Sequence, residues 1–169
     1  LRARYYIQLF DLYRYLPISV SLVHTDKNTE TQVSPEKMFE FIEGELLDVL
    51  EHPNMPVKSS LGGNGVKTMQ WNKAGVAALL VRLYLNSEKW TGTPRYDDCA
   101  EYAQKIIDGD YGPYQLEDKW DAVFDWNNDT SDEVIYAFES SLDRAHTHYM
   151  DMTYWWGLCG DVNSKYLLS

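Results

Sequence analysis

The chain has 169 residues, of which 44% are hydrophobic and 24% charged; that is enough for one domain with a real core, and too apolar for an intrinsically disordered segment. Its formal net charge of −11 repels phosphate backbones and argues against a nucleic-acid partner. No stretch approaches the roughly 18 consecutive apolar residues of a membrane span, and two cysteines, Cys99 and Cys159, make no disulfide framework.

The first residue is Leu1, and LRARYYIQLFDLYRY is already in helical rhythm there, so the chain is expected to start inside a longer protein. A helix is predicted near 1–15. Leu1, Tyr5, Leu9 and Leu12 fall on one face of it, and Tyr6, Phe10 and Tyr13 line an adjoining one. Pro17 ends it, because proline disfavours helical geometry in the residue before it. After a polar loop, Ser34 suits an N-cap, Pro35 the first turn and Glu36 the positive end of the helix dipole. The helix they open is predicted over 35–51, with Phe39, Ile42, Leu46 and Val49 or Leu50 as its buried stripe. His52-Pro53 stops it, and 53–69 is a linker containing LGGNG.

A third helix is predicted near 71–87 and a fourth near 95–108. The third interleaves Ala74, Ala77 and Ala78 with leucines. The fourth repeats Tyr96, Cys99 or Ala100, Ala103 and Ile106 or Ile107, and Gly109 is placed to stop it in the left-handed conformation. Small residues on one flank and bulky ones on the other, with Trp90 at the turn, give this pair a tetratricopeptide-like look. Ala77, Ala78 and Ala103 are expected to be buried, and Cys99 to pack in a helix interface. DKWDAVFDW suggests a short helix. Val134, Ile135, Tyr136 and Phe138 favour a short extended segment near 133–138. Beyond Ser140 the periodicity fades into a long aromatic-rich loop.

The same chain carries several residues with candidate chemistry. A helical glycoside hydrolase would need an acid and a base or nucleophile from carboxylates; Asp125, Asp129, Asp132 and Glu133 lie near Trp120 and Trp126, yet no spacing singles out two of them. Asp129 and Asp132 are read as turn formers and Glu133 as solvated. Asp125, Asn127 and Asp129 match the first EF-hand ligands, but Thr130 replaces the glycine and Tyr136 the bidentate Glu. His146 and His148 have no further zinc partner at a convincing spacing. No metal or other cofactor is expected.

Aromatics reach 14%, with 13 Tyr and 6 Trp against 5 Phe. A flat ring covers the apolar face of a pyranose while Asp, Asn or Arg beside it bonds the hydroxyls. The densest such cluster is Tyr149, Asp151, Tyr154, Trp155 and Trp156, in which one tryptophan is expected to anchor inward and the other to face a ligand. Trp126 with Asn127 and Asn128 is a second candidate. A tetratricopeptide-like surface that binds only proteins is a further alternative.

Five segments in order resemble the SusD/RagB family. LRARYYIQLFDLYRYLP resembles its opening helix, with Tyr15 or Leu16 where the family often has glycine. SPEKMFEFIEGELLDVL, WNKAGVAALLVRLYLNSEKWTG, YDDCAEYAQKIIDGDYGPYQL and WDAVFDWNNDTSDEVIYAF resemble the segments that follow. The resemblance implies a mostly α fold of tetratricopeptide-like helix pairs with long irregular loops. It implies one helical domain over 1–169, cut at both ends, with a helical core at 1–139 and a loop-rich ligand segment at 140–169. It also implies a non-enzymatic, lipid-anchored protein on the outer face of the outer membrane. Such a protein would capture an oligosaccharide or other nutrient for a TonB-dependent, SusC-like transporter, touching the membrane only through an anchor outside this chain.

Overall fold

The computed structural model describes residues 1–20, 31–57, 70–124 and 131–136, all within the unit Leu1–Tyr136. Among the described residues there are five α-helices: α1 Arg2–Tyr13, α2 Pro35–Glu51, α3 Lys73–Leu85, α4 Ser87–Thr91 and α5 Tyr96–Ile107, followed by a 3-10 turn at Ala122–Phe124. The architecture is mostly α, as expected.

Helix α3 is central. It packs on both α2 and α5, and α1 packs on α2. Buried side chains therefore ring it: Ala74, Val76, Ala77, Leu80, Leu83 and Tyr84. A helix covered on most sides has little amphipathic contrast, and its alanines let neighbours approach. The core adds Met38, Phe39, Ile42, Leu46 and Leu50 from α2, and Trp90 from α4. Of the two positions that the stripe left open, Leu50 is buried and Val49 exposed.

Local start and stop signals hold. The Ser34 hydroxyl accepts from Lys37 N, Pro35 opens α2 and Glu36 sits in its first turn. Gly109 follows α5 with φ +83°. Ala77 is buried, but Ala78 and Ala103 are only half-buried. The reason is positional: α5 is an edge helix with no fully buried residue, and it contributes Cys99, Tyr102 and Ile106 as half-buried contacts.

Two features depart from the sequence-based expectation, and the expected extended segment near 133–138 is partly described. The core face of α1 is Ala3, Ile7 and Phe10, while Leu1, Tyr5, Leu9 and Leu12 are exposed. The turn after α3 contains its own helix, α4, which closes on Gly92 at φ +80° and drives Trp90 onto Phe10 with ring centroids 5.0 Å apart. Residues 131–136 form no β-ladder; among the described residues the one β-bridge joins Pro17 to Gln32. Phe138 lies outside the described residues.

Candidate ligand-binding surfaces

Tyr149, Asp151, Tyr154, Trp155, Trp156, Trp126 and Asn127 all lie outside the described residues, as do Asp125, Asp129, His146 and His148. Three constellations can be built from the rest.

The first joins the start of α3 to residues 135–136. Asn72 is fully buried and caps α3, its Oδ1 accepting from Gly75 N at 2.9 Å. Its Nδ2 donates to Ile135 O at 3.3 Å. Beside it Trp71 stacks on Tyr136 at 4.3 Å and 21°, and the Arg4 guanidinium lies 5.7 Å from both rings. Gly75 approaches the same indole so closely that a Cβ there would stand 3.3 Å from Trp71 Cε3. Protein groups thus engage the Trp71 ring, and it acts as a clasp. Next to it α1, α2 and α3 leave a recess of about 350 Å³ lined by Leu46, Val49, Met55, Val76 and Leu79. The bidentate pair of Arg2 with Glu45, at 2.8 and 2.6 Å, forms part of its lining. An apolar floor with a few fixed polar groups is the usual make-up of a small-ligand site.

The second is a polar knot between α2, α3 and α5. Tyr84 Oη donates to Glu43 Oε1 at 2.8 Å, and Arg95 Nη2 donates to the same oxygen at 3.0 Å. Arg95 Nε reaches Asp98 Oδ2 at 2.5 Å while its guanidinium lies 5.0 Å from the Tyr84 ring centre. Burial and then the Glu43 bond push the Tyr84 hydroxyl far above the ordinary tyrosine range. The Arg95 bond holds Asp98 below the ordinary carboxylate range. Every charge here is spent inside the knot, which ties three helices together.

The third is the segment 115–124 with 131–133. Gln115 N donates to Asp132 O at 3.3 Å and Glu117 N to Glu133 Oε2 at 3.0 Å. Ser131 Oγ donates to Glu117 Oε1 at 2.5 Å. Glu133 is therefore half-buried and bonded, which corrects its reading as a solvated carboxylate. The 3-10 turn then places Trp120 and Phe124 edge to face, centroids 6.4 Å apart. Both are exposed, Trp120 at 84%.

Hydrolytic chemistry would need a carboxylic acid with a raised pKa to protonate a leaving group. Asp98 and Glu36 are both shifted the other way. Cys99 is half-buried, donates to Val81 O at 3.5 Å and has its thiol pKa raised by burial, so it is a packing residue. Among the described residues no group of His, Cys, Asp and Glu could hold a metal.

No family model and no curated protein matches this sequence. A solved structure does: a SusD superfamily protein from Bacteroides fragilis superposes with a TM-score of 0.68 at 20% identity, covering 85% of this chain and 29% of that one. The helices thus have the fold of a SusD superfamily protein, and this chain spans less than a third of the length of that relative.

Proposed function

We propose that the protein is a non-catalytic glycan-binding protein of the cell surface that passes its ligand to a SusC-like, TonB-dependent transporter in the outer membrane. The observation carrying this is the likeness of fold to a SusD superfamily protein over 85% of the chain, beside the five family-like segments of the sequence. Consistent with binding without turnover, Glu133 is committed to a backbone amide and the knot carboxylates to Arg95. The ligand contacts we assign are Tyr149, Asp151, Tyr154, Trp155 and Trp156, with Trp126 and Asn127 as a second group. A lipid anchor outside this chain would hold it to the membrane.

Calorimetric titration with maltohexaose, xylohexaose and cellohexaose, followed by a reducing-end assay on the same mixtures, tests this. Saturable binding without new reducing ends is expected. New reducing ends that vanish in Glu133→Gln, in a variant that stays folded, would overturn it in favour of a hydrolase.

A further inference from the structure

We propose that Trp120 is a sugar-stacking subsite on the segment 115–124; this rests on the glycan-binding reading above and adds to it a residue that the sequence did not single out as a contact. An indole that is 84% exposed gains nothing from the core. Its backbone is nevertheless fixed. Gln115 and Glu117 are tied to 132–133, Ser131 grips Glu117, and Ala122 N to Lys119 O and Phe124 N to Asp121 O close the turn at 3.1 and 3.0 Å. Phe124 meets the indole edge to face. Such a ring is held out in water on an ordered base, so little ordering is left for a ligand to induce.

The surrounding charge selects the occupant. Asp118, Lys119 and Asp121 are exposed beside Trp120, so the immediate surroundings are net negative, and the whole chain carries −11. Phosphate, nucleic acid and anionic lipid are repelled. A neutral pyranose is not: its apolar face covers the indole, and its hydroxyls donate to the two carboxylates. The subsite therefore takes neutral oligosaccharide.

The same three hexasaccharides are titrated into the full chain and into Trp120→Ala, Trp120→Phe and Asp121→Asn. Trp120→Ala should weaken binding about 5- to 150-fold, by analogy with base stacking on aromatics. Trp120→Phe should retain part of the affinity, and the melting temperature should not move, since the ring touches little else. Wild-type affinity in Trp120→Ala overturns the subsite and leaves the glycan-binding reading standing. No binding by the wild-type chain overturns both. A fluorescence blue shift on phosphatidylcholine vesicles that disappears in Trp120→Ala would assign the ring to a lipid surface and overturn the subsite as well.

Discussion

A positive backbone angle at one residue marks the end of α1. Where that pattern often has glycine, the segment reads Tyr15 or Leu16; the residue that takes the left-handed φ is Arg14, at 59°. A non-glycine residue there is strained, and its side chain offsets the strain. Its Nη1 donates to Phe10 O, and its guanidinium lies 5.2 Å from the Trp90 ring centre and 5.7 Å from that of Phe10. Tyr84 gives the clearest test at this scale. Its hydroxyl is bonded to Glu43 in the fold and its pKa is raised, so folding favours the protonated form. The stabilisation is complete below the unfolded value near pH 10 and is lost as pH rises towards the folded value. Above pH 10 the unfolded chain binds fewer protons, and stability should fall by up to about 1.4 kcal/mol per pH unit for this group. Urea unfolding from pH 8 to 11.5 should show a shallower decline in Tyr84→Phe. Tyr114, whose hydroxyl burial pushes up to about 12, adds a similar slope that Tyr114→Phe should remove.

Helix ends and the buried face of α2 were readable, and the buried face of α1 was not. Ser34, Pro35, Glu36 and Gly109 act on backbone groups within a few residues, so the information is local. The face of α1 depends on what arrives from elsewhere. Leu1, Tyr5, Leu9 and Leu12 make as good a stripe as Ala3, Ile7 and Phe10, and only the position of α2 and Trp90 decides between them. For the same reason α4 was invisible: Asn86 ends α3 through its own N–H and side chain to Arg82 O, and the chain re-enters a helix within a residue. The two side-chain N-caps should differ in strength. Ser34 is exposed and its bond is 3.4 Å long. Asn72 is buried, bonds Gly75 N at 2.9 Å and also holds Ile135 O. Asn72→Ala should cost about 2–3 kcal/mol because it also strands a carbonyl, and Ser34→Ala about 0.5–1 kcal/mol. Paired urea titrations would measure both; equal losses would mean that the Ile135 tie contributes nothing.

At the scale of the molecule, composition announced aromatic surfaces without saying which rings would be free. Trp71 and Trp90 were taken by the fold, one clasped by Tyr136 and one set against Phe10 and Arg14, while Trp120 was left outside. Nothing local separates these three, since the rings that engage Trp71 and Trp90, Tyr136 and Phe10, come from far off in sequence. The candidate cluster at 149–156 and the pair Trp126 and Asn127 came from rings standing beside Asp or Asn in the sequence, and they lie outside the described residues.

The exposed stripe of α1 has a colloidal consequence. Leu1, Tyr5, Leu9 and Leu12 offer a row of apolar side chains to any neighbour, while a net charge of −11 keeps like molecules apart. Salt sets the balance, because the screening length shrinks from about 10 Å at 0.1 M to about 3 Å at 1 M. Raising the ionic strength should therefore drive association, opposite to an assembly held by ion pairs. Light scattering of the chain between 0.05 and 1 M sodium chloride should show the apparent mass rising, and Leu12→Glu should keep it flat by placing a charge in the stripe.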